Sequence, residues 1–192
     1  YAWHKVLNIY GNSNQTVVGT IVSGRNLPID DIESSVGLYI NTLPLIVNHQ
    51  NHKTKTIIES IKDIQDDINE TNIRNDVSLS KLQKSGERLF DSLFVYENYP
   101  NPINANQQSR INIIYKGGIE KLDYPLGAIA YEGNNSLTFK LEYAGELFNK
   151  DTIEHLLLIT KTLLVQIVNN PNQQVQNLSY LNEEQYKQII HT

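Results

Sequence analysis

An α/β domain is the fold class this sequence predicts, and three observations predict it. Runs rich in β-branched and aromatic residues recur at 16–23, 39–47, 89–96, 109–115, 126–131 and 136–143, the composition of half-buried strands. Two stretches carry apolar residues every third or fourth position: Ile57, Ile61, Ile64 and Ile68, then Ile153, Leu156, Leu157, Thr160, Leu163, Leu164 and Ile167. That is the period of a helix with one buried face. Finally, GNN at 133–135 joins two strand-like runs at hairpin spacing.

Taken in order, Ala2, Val6, Ile9 and Tyr10 stand at helical spacing until Gly11 ends the pattern. His4 reads as a tolerated helix residue, because no second ligand-type side chain lies three or four positions on. Thr16 to Ser23 is a strand in which Gly19 marks a bulge or a close approach of another backbone. It ends at Ser23-Gly24-Arg25, where Arg25 suits a surface carboxylate or a site. Asp30 is placed to cap a short helix through Ser35, closed by Gly37. The next strand begins near Tyr39 and holds Pro44, which cannot donate a ladder hydrogen bond, so it belongs at an edge, bulge or bend. Asn41 and Thr42 form a polar island in this apolar run and must find hydrogen bonds, either as a structural clasp or as part of a site. His49, Gln50, Asn51 and His52 read as a solvated turn, not a metal site, because no third ligand accompanies the two histidines.

The helix at 54–70 turns Glu59, Lys62, Asp63, Asp66 and Asp67 toward solvent, where nothing would desolvate them for acid–base chemistry. Ser78 is placed to cap a second short helix with Leu79 and Leu82 inward. The strand at 89–96 ends at Glu97, a lone carboxylate more readily hydrated than catalytic. Residues 100–108 form a polar loop. Asp151 is placed to cap the last long helix, 152–169, and His155 reads as a surface residue. Pro171 ends that helix, residues 172–177 link, and Asn182 starts a short amphipathic helix.

The chain has 192 residues, 40% hydrophobic and 19% charged, a balance usual for a soluble globular domain with a real core. A net charge of −5 gives no electrostatic reason to expect nucleic acid, and no apolar run is long enough to span a membrane. Cysteine is absent, which excludes a disulfide framework and thiolate metal sites and is compatible with the cytosol. Methionine is absent too, so Tyr1 reads as a cut within a longer polypeptide or a processed end.

The segments GTIVSGR (19–25), VGLYINTLPLIV (36–47), LFDSLFVYENYP (89–100), YPLGAIAYEG (124–133) and LEYAGELFNKDTIEHLL (141–157) resemble, in order, the C-terminal half of condensation domains of nonribosomal peptide synthetases. The segment LSYLNEEQYKQIIHT (178–192) is similar to the exit toward the next domain of such a synthetase. The resemblance implies a chloramphenicol acetyltransferase-like lobe, a mixed sheet with helices packed on it as a two-layer sandwich, over 1–177. It implies a linker toward an adenylation domain over 178–192. It places Ser23, Gly24, Arg25, Asn41 and Thr42 along the substrate channel. It also implies a segment, with 116–123 the candidate, that crosses to the other lobe.

The family's chemistry rests on an HHxxxDG motif, which lies in the N-terminal half. None of the five histidines here neighbours another, so no catalytic residue is assigned within this chain. The resemblance implies no directly bound cofactor and no metal, but it does imply the phosphopantetheine arms of carrier domains. Its implied partners are the N-terminal lobe of the same domain, peptidyl carrier domains and the adjacent adenylation domain, in the cytoplasm. The expected parent joins carrier-tethered aminoacyl or peptidyl thioesters by amide bonds, and this piece alone is expected to be inactive. Alternatives are a non-catalytic platform that recruits partner enzymes, an epimerisation or heterocyclisation relative, or an unrelated α/β domain. The state of the upstream HHxxxDG motif discriminates among the condensation enzyme, the platform and the epimerisation or heterocyclisation relative.

Overall fold

The computed structural model describes residues 1–26, 29–32, 34–73, 77–83, 86–97, 122–133, 136–181 and 186. The elements in chain order are α1 (Ala2–Gly11), β1 (Gln15–Ser23), β2 (Ile40–Asn48), α2 (His49–His52), α3 (Ile57–Ile73), α4 (Leu79–Leu82), β3 (Ser92–Glu97), β4 (Leu126–Glu132), β5 (Leu137–Tyr143) and α5 (Lys150–Asn169). The strands form one sheet in the order β2-β1-β3-β4-β5. The three central strands run parallel, and β2 and β5 pair antiparallel at the two edges. Pro44 therefore lies on an edge strand, where its missing N–H costs no ladder bond.

Strand register fixes the two faces. Val18 pairs with Leu45, Thr20 with Phe94, Phe94 with Ala128 and Ala128 with Leu141, so all share one side of the pleat. Against that side pack Trp3 and Val6 of α1 and Ile153, Leu156, Ile159 and Leu163 of α5. The α3 residues Ile64 and Ile68 pack on Leu45 and Val47 at the same side. Burying a full aliphatic side chain in this way contributes about 1.5–3 kcal/mol, so the helix–sheet seam dominates stability. Trp3 also donates its Nε1–H to Ser92 Oγ at 2.9 Å, which satisfies a buried indole and ties α1 to β3.

On the opposite side, Phe90 is buried over Gly19, and Tyr124 stacks on Phe90 with ring centroids 5.1 Å apart. Gly19 is thus required by an aromatic side chain, not by a bulge or another backbone, and the β1–β2 ladder runs through it without interruption. Among the described residues, the long helices lie on one face, which makes the expected two-layer α/β sandwich.

Several local expectations change. Residues 30–32 and 34 form turns, and 35–39 are irregular, where a helix through Ser35 was expected. Asp31 adopts a φ of 60°, and Arg25 takes the carbonyls of Ile32 and Ser35 that a helix would use. Residues 49–52 are a helical turn with His49 and His52 buried, not a solvated loop. No residue of α4 is fully buried: Leu79 is half-buried, Leu82 is exposed instead of inward as expected, and Ser78 makes no cap bond. The cap of α5 is Asn149, whose side chain accepts from Thr152 N–H at 2.8 Å, and Asp151 sits in the first turn instead. The linker after α5 docks on α3: Ile57 N–H donates to Gln173 O and Val175 N–H to Lys55 O. The expected strand at 109–115, the loop at 100–108, most of the crossing segment and the final helix lie outside the described residues.

Candidate functional site

The carboxyl ends of β1, β3 and β4 and the starts of β2 and β5 meet along one end of the sheet, the side where open α/β sheets place their ligands. All five predicted channel residues lie there. Ser23 pairs with Ile40, Val22 with Asn41 and Ile21 with Thr42, so the Ser-Gly-Arg and Asn-Thr groups are brought together by the β1–β2 ladder.

Their local chemistry differs. Gly24 is buried and donates its N–H to Tyr39 O, which closes the turn out of β1. Arg25 Nη1 donates to Ile32 O at 2.7 Å and Ser35 O at 3.0 Å, and Nη2 reaches Gly37 O at 3.5 Å. The guanidinium also lies 4.6 Å from the centroid of the Tyr39 ring. Arg25 therefore organises the 29–39 segment beside the sheet end, a job for which its planar fork of donors suits it better than lysine. Asn41 donates to Val77 O at 2.9 Å and accepts from Thr42 N–H at 2.9 Å, clasping β2 to the segment before α4. Thr42 points to the opposite face from Asn41 and is half-buried. At the same end, Tyr96 donates to Glu132, and this hydrogen bond raises the tyrosine pKa. Glu97, the carboxylate weighed as a base, pairs across the ladder with Tyr131.

A cavity of about 500 Å³ lies between α1, α3 and the helix-bearing face of the sheet, reaching the same end through Thr20, Tyr96 and Leu137. Among the described residues, no group of three or more His, Cys, Asp or Glu could hold a metal ion. What this end offers is shape and backbone hydrogen bonding, means of positioning more than of proton transfer.

The sequence reading missed a buried histidine chain at the other end of β1. His4 Nδ1 lies 2.7 Å from Thr16 Oγ1, and Thr16 Oγ1 lies 2.9 Å from His49 Nε2. His4, Thr16 and His49 are all buried, at 3%, 6% and 7% exposure. Burial pushes the His4 ring down to about 3, aided by the nearby N-terminal ammonium and His49. Burial pushes His49 down to about 4, aided by Lys5, His52 and the N-terminal ammonium. His52 Nδ1 stands 3.4 Å from Asp63 Oδ2, which Lys55 also holds at 2.6 Å. Burial lowers the His52 pKa, although the neighbouring carboxylates of Asp63 and Asp67 oppose it. The signal that would have found this chain is the β1–β2 register, which sets Thr16 against Val47 and brings His49 to it.

A family model described as Condensation domain matches residues 1–190. The N-(5-amino-5-carboxypentanoyl)-L-cysteinyl-D-valine synthases of Amycolatopsis lactamdurans and Penicillium rubens are 45% and 43% identical, over 94% and 98% of this chain. The match takes in only 5% of each of those relatives. Tyrocidine synthase 3 of Brevibacillus parabrevis is 27% identical over 98% of this chain and 3% of its own length. Among solved structures, the X-domain from teicoplanin biosynthesis overlays with a TM-score of 0.74 at 21% identity, covering 94% of this chain and 42% of that one. A four-domain nonribosomal peptide synthetase bound to AMP and glycine overlays with a TM-score of 0.76 at 14% identity, covering 95% of this chain and 15% of that one. These overlays show a shared fold, the chloramphenicol acetyltransferase-like α/β class expected from the sequence. With the family model matched over nearly its whole length, this chain belongs to the condensation-domain family of nonribosomal peptide synthetases.

Proposed function

We propose that this chain is the C-terminal lobe of a condensation domain, spanning 1–177, and that 178–192 begins the linker to an adenylation domain. Its parent forms an amide bond when the amine of one carrier-tethered aminoacyl group attacks the thioester of another. The lobe supplies one wall of the channel, with Ser23, Gly24, Arg25, Asn41 and Thr42 along it. The observation that carries this reading is the convergence of the Ser-Gly-Arg and Asn-Thr groups at the carboxyl end of the sheet. Holding an amine and a thioester in contact is worth about 7–11 kcal/mol of barrier in the best-oriented cases, so a wall without a proton-handling group still serves catalysis.

The imidazole that moves the proton belongs to the HHxxxDG motif, which this chain lacks, so the companion N-terminal lobe provides it. Exposed apolar side chains beside the channel residues, Val36, Leu38 and Ile40, support a companion surface there. Phosphopantetheine arms of carrier domains would deliver both substrates, in the cytosol. The names of the relatives at 43–45% identity support a parent that assembles a short peptide.

The test is reconstitution. The chain, mixed with carrier proteins loaded with aminoacyl thioesters, is assayed for peptide product with and without a companion lobe bearing HHxxxDG. Product is expected only with the companion. Product from the chain alone overturns the proposal, as does failure of a companion that restores product with an authentic C-terminal lobe.

A further inference from the structure

The last helix is apolar on two sides. Ile153, Leu156, Ile159 and Leu163 bury one side of α5 against the sheet, and the opposite side carries Leu158, Val165 and Val168 at 42%, 51% and 75% exposure. Leu158 and Val165 are separated by about two helical turns and so share one line along the helix, with Thr162 between them. Thr162 gives its hydroxyl proton to Leu158 O at 2.9 Å, so it adds no free donor to that line. A helix with one buried side carries polar residues on the other, and a helix apolar all round is one covered on both sides. Among the described residues this second side of α5 is bare.

The path of the chain after α5 identifies the cover. The segment expected to be a linker is bonded to the lobe: Ile58 N–H donates to Pro171 O, Ile57 N–H to Gln173 O, Val175 N–H to Lys55 O and Gln176 N–H to Lys53 O, with the Val175 side chain buried. Leu178 then packs on the main core. Ser179 is held on the flank of α5 by Gln166, which accepts from its N–H at 3.0 Å and donates to its carbonyl. Gln166 adjoins Val165, and the next residue of the chain, Tyr180, is exposed. The chain therefore leaves the core side of α5 along the flank that leads to the bare side, from a fixed point instead of a loose tether. A short tether keeps whatever follows at high effective concentration over the Leu158–Val168 line.

We propose that this side of α5 seats the domain that follows residue 192 in the parent, with Leu158, Val165 and Val168 in the contact and the strap at 171–181 as its mount. The inference rests on the reading that such a domain follows, and it goes further: the movable joint of the parent lies after Leu181, not across 172–177. The occupant presents an apolar face, because a charged one would lose its hydration to Leu158 and Val165 with nothing in return.

The chain has no cysteine, so a single introduced thiol reports on each position. Val165→Cys, with Asp66→Cys on the exposed face of α3 as control, is placed in the intact condensation domain, otherwise freed of cysteine, and alkylated with N-ethylmaleimide. Each variant is made in three forms: ending at Leu181, ending at Thr192, and carrying the following domain. Alkylation at 165 is expected to be fast in the first two forms and at least about tenfold slower in the third, with position 66 unchanged throughout. Leu158→Cys should behave as Val165→Cys does. Adding Val165→Glu, which puts a charge into the contact without touching the core, should restore fast alkylation of Leu158→Cys in the longest form. Equal rates at 165 in all three forms overturn the proposal. Protection already complete in the form ending at Thr192 does so too, since the chain's own end is then the cover, and protection that fades on dilution makes a second copy the cover. A parent in which no domain follows overturns the seat and the linker reading together, whereas a following domain that leaves 165 reactive overturns the seat alone.

Discussion

Replacing Thr16 by valine should be among the most damaging single-atom-scale changes available in this chain. Valine matches threonine in shape, so packing on β1 is kept while the hydroxyl that bridges His4 and His49 is lost. Two ring nitrogens, held now at 2.7 and 2.9 Å, would be left buried without partners. An unsatisfied buried polar group costs about 1–3 kcal/mol, so the pair together should cost about 2–5 kcal/mol. At roughly 2–4 °C per kcal/mol for a chain of this size, the midpoint of thermal unfolding should fall by about 4–20 °C. Circular dichroism during heating and urea titration measures both quantities. Thr16→Ser is the control: it keeps the hydroxyl, loses one methyl and should cost about 1 kcal/mol. If Thr16→Val loses no more than about 0.5 kcal/mol, or no more than Thr16→Ser, the histidine chain is not a stabilising element and the reasoning fails.

Three further outcomes follow from the same contacts. His4 and His49 are held near 3 and 4, below the ordinary 6.5, so the unfolded chain binds protons more readily. Their contribution is therefore complete above about pH 6.5 and is lost as pH falls, by about 2 kcal/mol per ring at pH 5. Urea midpoints at pH 7 and 5 check this, and His49→Gln should shed one proton of the dependence; an unchanged slope in that variant contradicts the assignment. A Cβ at Gly19 would lie 2.2–2.8 Å from three Phe90 ring atoms, so Gly19→Ala should cost about 1–3 kcal/mol in urea unfolding and recover in part with Phe90→Leu. Arg25→Lys should raise hydrogen exchange of amides at 29–39, since a lysine cannot hold the carbonyls of Ile32 and Ser35 together and stack on Tyr39. Unchanged exchange there would rule out the organising role of Arg25.

The layers of the fold were readable because each obeys a local rule. The stripe Ile57, Ile64, Ile68 and the apolar face of α5 announce helices by period alone, and Pro44 announces an edge. Register was not readable, because residues 24–39 separate β1 from β2 and no local rule sets how far one strand slides past the other. The histidine chain was hidden for that reason: His4, Thr16 and His49 look unrelated until Thr16 is known to lie opposite Val47. The cap of α5 was misplaced by two residues because Asn149 and Asp151 are both good caps, and only the bond to Thr152 N–H distinguishes them. The candidate site was reached through resemblance to a family, since composition and periodicity stop at an α/β domain. What the structure adds is why its parts coincide: antiparallel pairing puts Ser23 opposite Ile40, and Arg25 folds the intervening segment back beside them.

The chain has no cysteine, which allows the central claim to be tested by placing one thiol at a time. Ser23→Cys puts a thiol at the proposed channel wall, and Glu154→Cys puts one on the outer surface of α5, where the native side chain is 62% exposed. In an intact condensation domain otherwise freed of cysteine, each is offered a carrier protein whose phosphopantetheine arm ends in a bromoacetamide, so that the thiolate displaces bromide. Preferential cross-linking at position 23 is predicted. Cross-linking at position 154 that equals or exceeds it would contradict the channel assignment.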